Sequence, residues 1–150
     1  MRMHHISFLS CLVLLSNAGE SYSQDKRISL SRLPDKSREF LQRHYARMNV
    51  FSVTEDVQSW FESTVYRVVF KGGERIKFDE SGNWSEIDAR REAVPLSIVP
   101  TNIITYLQRS FPRMAVTKIE RNKQRYIVAI SSGIELEFNN KGEFLKINQQ

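Results

Sequence analysis

Cysteine is almost absent from this chain of 150 residues: there is one, Cys11, and it falls inside the opening apolar run. Once that run is removed, disulfides, thiol nucleophiles and cysteine-ligated metals are excluded. Histidine is nearly as scarce. Two of the three, His4 and His5, belong to the same opening segment, which leaves His44 alone. A zinc site then lacks its usual ligands, and a Ser/His/Asp triad would rest on a single candidate. No G-x-S-x-G, H-E-x-x-H or phosphate-cradling glycine loop occurs. No catalytic residue, metal site or cofactor is therefore expected, and the chain reads as a non-enzyme.

Long apolar runs are also missing. The opening one, Ile6 to Leu15, covers ten residues, against the roughly 20 that a membrane-spanning helix needs. Arg2, His4 and His5 precede it, and Ser16-Asn17-Ala18 follows as a small-x-small cleavage site, with Ser21-Tyr22-Ser23 as a second candidate. This is the pattern of a secretory signal. Residues 1–23 are expected to be signal peptide and leader, the polar stretch to residue 32 to be flexible, and the protein to be periplasmic or secreted without stable membrane insertion. Acylation at Cys11 is not expected, because only five residues of the run precede it.

Charge is plentiful but evenly spread. Residues 25–91 carry 13 basic and 11 acidic side chains, and residues 92–150 carry 8 and 5. The net charge of +5 is thus diffuse, whereas nucleic-acid binders concentrate Lys and Arg on one helix or stripe. No nucleic-acid partner is expected. With 41% apolar and 26% charged residues the composition is that of an ordinary globular domain.

What the chain does contain is a repeat. Tyr66-Arg67-Val68-Val69-Phe70 answers to Tyr126-Ile127-Val128-Ala129-Ile130; Gly73, Ile76, Phe78 and Gly82 answer to Gly133, Leu136, Phe138 and Gly142; Trp84, Ile87 and Asp88 answer to Phe144, Ile147 and Asn148. Upstream the offset is 66 rather than 60, since Pro34, Leu41 and Val50 match Pro100, Leu107 and Val116. The first copy therefore holds six extra residues between its first two strands, where Trp60-Phe61 sits.

Each copy reads as one helix followed by four strands. Leu33-Pro34 opens the first helix, with Phe40, Leu41, His44, Tyr45 and Met48 as its stripe and Asn49 as its stop. Strands are expected at 50–55, 65–70, 75–79 and 84–88, separated by the Gly72-Gly73 and Gly82-Asn83 turns. Val99-Pro100 opens the second helix, which ends before Pro112, and strands follow at 116–121, 126–131, 134–139 and 144–148. Short turns force antiparallel pairing. The expected fold is α+β: one domain over 24–150 made of two repeats (about 33–91 and 98–148), a curved antiparallel sheet of about eight strands, both helices on one face and the other face open to water.

Several residues invite a functional reading beside a plain one. Asp79-Glu80-Ser81-Gly82-Asn83 is oxygen-rich, but it lacks the twelve-residue calcium loop, and its repeat places Lys141 where a cation would be repelled; a hairpin turn explains both. His44 matches Ser110 in the second copy, as a packing residue would. Glu135 and Glu137 share a strand face about 7 Å apart, and read as solvated. On the outward face the copies disagree: Arg67, Arg75 and Lys77 in the first, Ile127, Ala129, Glu135 and Glu137 in the second. This is either drift on a solvated surface or a face complementary to a protein partner. Trp60-Phe61 either packs on the sheet end or anchors that partner. The candidate partner-binding set is Trp60, Phe61, Arg67, Arg75, Lys77, Ile127, Glu135 and Glu137.

With Leu33-Pro34, Phe40-Leu41, Tyr66, Gly73, Ile76-Lys77-Phe78-Asp79 and Gly82-Asn83-Trp84-Ser85-Glu86-Ile87-Asp88, the first copy resembles the PepSY-like family of exported bacterial proteins, described as β-lactamase-inhibitor-like. Val99-Pro100, Tyr106, Phe111-Pro112, Tyr126, Gly133 to Phe138, Gly142 and Phe144 to Ile147 resemble it in the second. The first copy departs from the family in having Ala46 where Pro112 stands in the second. The resemblance spans nearly all of 33–148 and its motifs are structural. It implies a periplasmic or secreted binding protein with a concave sheet, and transfers no inhibitory residue set. The function expected is binding of an exported or envelope protein through the open sheet face, possible inhibition or regulation included; the alternative is a small-ligand or envelope-sensing protein.

Overall fold

In the computed structural model, which describes residues 26–57 and 64–148, nine antiparallel strands follow one another across a single sheet in chain order. They are β1 (Lys26–Arg27), β2 (Val50–Asp56), β3 (Val65–Phe70), β4 (Arg75–Phe78), β5 (Trp84–Asp88), β6 (Val116–Arg121), β7 (Arg125–Ile130), β8 (Glu135–Asn139) and β9 (Phe144–Asn148). Helices α1 (Asp35–Tyr45) and α2 (Thr101–Ser110) precede β2 and β6. This is the helix-plus-four-strand unit twice over, joined where β5 pairs β6.

The extra strand is β1. It comes from residues read above as flexible, and it is held because Lys26 and Arg27 pair with Glu55 and Thr54 while Ile28 N–H donates to Val53 O at 3.0 Å. The first helix also ends earlier than Asn49. It stops at Tyr45, and Met48 N–H closes a turn onto Tyr45 O. Pro34 and Pro100 stand just outside their helices, as caps, rather than at the first helical position.

Period-two alternation sorts the strands into two faces. Val68, Ile76, Phe78, Ile87, Ile119, Val128, Leu136 and Phe138 are at most 1% exposed, on the face that the helices cover with Leu41, Tyr45, Ile103 and Leu107. Fully burying one such side chain contributes about 1.5–3 kcal/mol.

The second turn of each repeat seats that repeat's helix. Gly82 and Gly142 adopt φ of +82° and +79°, a region that favours glycine. A Cβ on Gly82 would lie 2.8 Å from Pro34 Cβ, and one on Gly142 would lie 3.1 Å from Asn102 Cβ. Ser37 Oγ donates to Gly82 O at 3.2 Å, and Asn102 Nδ2 donates to Lys141 O at 2.9 Å. Recurrent glycine and recurrent helix start are thus one contact made twice. Among the described residues no helix is long and apolar enough to cross a membrane.

Candidate interaction surface

Strand register writes two rows of side chains across the uncovered face. One runs Thr54, Arg67, Lys77, Glu86, Glu120, Ile127, Glu137, Lys146; the other runs Ser52, Val69, Arg75, Asp88, Lys118, Ala129, Glu135, Asn148. Six of the eight sequence-derived candidates, Arg67, Arg75, Lys77, Ile127, Glu135 and Glu137, lie on these rows. Trp60 and Phe61 lie outside the described residues.

The charges on this face pair with one another. Lys77 Nζ meets Glu86 Oε2 at 2.5 Å, and Arg75 meets Asp88 Oδ2 at 2.6 Å. In the second repeat Arg125 and Lys146 hold Glu137 at 2.9 and 3.6 Å, and Asn148 Nδ2 donates to Glu135 Oε1 at 2.8 Å. At the seam Lys118 pairs with Glu120 and lies 3.9 Å from Glu86. The sign change between copies is therefore compensated: where the first repeat sets Lys77 against Glu86, the second sets Glu137 against Lys146. Glu137 is not the solvated carboxylate expected above. It is 7% exposed, because the Arg125 and Lys146 side chains close over it.

The pairing moves the titrations. The Arg125 hydrogen bond, against some desolvation and with the charges of Arg125 and Lys146, holds Glu137 below the usual carboxylate range. Burial alone would raise Asp88, but hydrogen bonds from Arg75 and the Arg90 backbone, with both guanidinium charges, outweigh it and lower the pKa. Burial opposes the charge on Lys118 too, and Glu120, Glu86 and Asp88 together raise it.

Where the repeats meet, the face is indented. A depression of about 300 Å³ is lined by Val65, Arg67, Lys77, Ser85 and Glu86 from the first repeat and by Glu120, Arg121, Asn122, Arg125 and Ile127 from the second. Arg121 is fixed at its rim by stacking 3.9 Å above the Trp84 ring and by donating Nε to Trp84 O at 2.8 Å. Sequence reasoning missed Glu86, Glu120, Arg121 and Arg125. The outward parity of Glu86, Glu120 and Arg125 was readable, but the β5–β6 junction that brings them together was not; Arg121 has the parity of the buried Ile119 and reaches the rim over Trp84.

His44 lies elsewhere, at a cavity of about 220 Å³ between α1 and the 89–95 connection, with Tyr45, Met48, Glu74, Asp88 and Glu92 among its walls. Its ring nitrogen faces Ser97 Oγ at 3.2 Å and its ring packs 4.8 Å from Phe40. Desolvation, then the Arg43 charge, lower its pKa. The nearby Asp88 is engaged by Arg75. The oxygen-rich turn behaves as a turn: Asp79 Oδ1 accepts from the Ser81 and Asn83 N–H groups, as Asn139 Oδ1 accepts from those of Lys141 and Glu143.

The fold as a whole has solved counterparts. A family model described as "Putative beta-lactamase-inhibitor-like, PepSY-like" matches residues 64–146. The chain belongs to this PepSY-like family. A Bacteroides thetaiotaomicron protein titled a "putative calcium-regulated periplasmic protein" superposes with a TM-score of 0.79 at 33% identity, over 83% of this chain and 97% of that one. A "putative periplasmic protein" of Bacteroides vulgatus gives 0.79 at 31% identity over 83% and 97%. A second from the same organism, titled as of unknown function, gives 0.79 at 28% over 84% and 100%. No curated protein matches the chain.

Proposed function

We propose that this PepSY-like chain is an exported, non-enzymatic binding protein that engages an envelope protein through its open sheet face, centred on the seam depression, and thereby inhibits or regulates it. The observation that supports this is the depression itself, a concavity on that face to which both repeats contribute side chains. Four cations and two carboxylates line it beside Val65 and Ile127, which suits an acidic side chain next to an apolar one. Export is supported by the leader pattern and by the periplasmic description of the structural relatives.

Arg75 and Lys77 are poor test positions, since reversing them breaks pairs inside the sheet. Arg67→Glu and Ile127→Glu alter the depression without removing a member of either pair. Crosslinking in the native envelope, with the captured protein identified by mass spectrometry, should lose the specific product at least tenfold in both variants at unchanged melting temperature. Equal capture by both variants refutes the reading.

The α1 cavity favours a second reading, a small-ligand protein, because the buried Tyr45 hydroxyl beside it has no hydrogen-bond partner. Native mass spectrometry of the periplasmic protein should then show a bound small molecule that Ala93→Trp, at the wall of this cavity, expels; an unloaded protein removes this reading. Calcium regulation is named for the Bacteroides thetaiotaomicron relative and is not carried over to this chain. The Asp79 carboxylate is used by its own turn, and among the described residues no three His, Cys, Asp or Glu side chains group to hold a metal.

A further inference from the structure

The sheet has two edges, and they are finished differently. At one, β1 covers part of β2 and presents Lys26 and Arg27, both exposed, a short charged strand of the kind that blocks further pairing. At the other, β9 shows Leu145 at 53% exposure and Ile147 at 48%. β9 is the second copy of β5, the strand that accepts β6. Ile147 thus corresponds to Ile87, which faces Ile119 across that seam and is 1% exposed.

The backbone follows the same logic. Ala89 N–H donates to Thr117 O at 2.8 Å, so the odd-numbered residues at this end of β5 direct their N–H and C=O groups toward β6. The offset of 60 preserves parity, and Ile147 directs its own groups away from β8. The edge with which the first repeat holds the second has no strand on it in the second repeat, among the described residues.

We propose that β9 pairs antiparallel with β9 of a second copy of this chain, about a two-fold axis at Ile147. In the register of the β5–β6 seam, Ile147 meets its own copy as Ile87 meets Ile119. Lys146 and Asn148 then fall opposite one another. Lys146 is the only charge on the strand and is held by Glu137 of its own sheet at 3.6 Å, so no like charges oppose. The alternative occupant, β1 of another copy, would bring Lys26 and Arg27 against Lys146. A two-fold arrangement also closes, whereas head-to-tail addition would continue. One strand pair is a small interface, so the dimer dissociates on dilution.

The test uses the exported chain as purified from the periplasm. Sedimentation equilibrium across a wide concentration range should show a monomer–dimer equilibrium, and Ile147→Lys should weaken it at least tenfold without lowering the melting temperature. A second variant exploits the absence of cysteine after Cys11. Cα atoms of a hydrogen-bonded antiparallel pair stand about 5.5 Å apart, within disulfide reach. Ile147→Cys should therefore give a covalent dimer on mild oxidation, while Phe51→Cys, on an exposed residue of β2, should not. A chain monomeric at every concentration, a dimer indifferent to Ile147→Lys, or equal crosslinking of the two cysteine variants overturns the proposal. Arg67→Glu is expected to leave dimerisation unchanged, so failure at this edge and failure of the open-face reading are separable.

Discussion

The two repeats share a covered face and differ on the open one, and the pattern of difference is more informative than either copy alone. On the covered face Phe78 and Phe138 are both fully buried, as are Val68 and Val128. On the open face Arg75, Lys77, Glu86 and Asp88 give way to Glu135, Glu137, Lys146 and Asn148. Both members of each pair change together, so that opposite charges or hydrogen-bonding groups still face each other. Core positions are constrained by packing density. Face positions are constrained only by complementarity to the neighbouring strand, which either order of signs satisfies. Arg67 and Ile127, which differ between the copies as well, both line the seam depression.

The comparison can be broken most forcefully in the core. Phe78→Ala and Phe138→Ala should each cost about 3–5 kcal/mol in denaturant unfolding, and a large inequality between them would show that the repeats do not share one core. Next comes the pair whose surroundings differ. Ile87→Ala should cost about 2–5 kcal/mol, and Ile147→Ala, measured on dilute monomer, no more than about 1 kcal/mol. Equal losses would mean that β9 is covered.

The helix seats should follow. Gly82→Ala and Gly142→Ala each force an L-residue into the left-handed region at about 1–3 kcal/mol, and thermal melts should place Gly82→Ala lower because its contact with Pro34 is tighter. Smallest is the charge pair. Lys77→Glu alone should cost about 0.5–1 kcal/mol, and Glu86→Lys added to it should restore the loss by remaking the arrangement of the second repeat. A double-mutant cycle with no coupling would refute the compensation.

Acid unfolding probes the same pairs. Asp88 and Glu137 have folded pKa values below their unfolded ones. Their contribution is therefore present above the unfolded carboxylate pKa, about 4, and is lost as pH falls through the folded value. Asp88→Asn should flatten the fall in stability below about pH 4.

Much of this was legible in the residues. Period-two alternation and turn glycines placed β3, β5, β6 and β9 at their observed bounds, because those signals are local to each strand. β1 was not legible: Lys26-Arg27 has no strand pattern of its own and is ordered by the edge of β2, 27 to 29 residues away. Glu137 was read as solvated because nothing near it in the chain covers it. Arg125, twelve residues upstream, becomes its partner only when β7 and β8 pair.

By itself, then, the chain's periodicity determined that there are two copies of a helix-and-four-strand unit, which residues face inward, and where glycine must turn the backbone. These follow from side-chain alternation and φ, properties of a few consecutive residues. Only the tertiary structure decided that β5 meets β6, that opposite charges on neighbouring strands neutralise the open face, that the seam leaves a depression, and that Ile147 stands half exposed where Ile87 is buried. Each of these depends on which strand lies beside which, and that contact joins residues far apart in the chain.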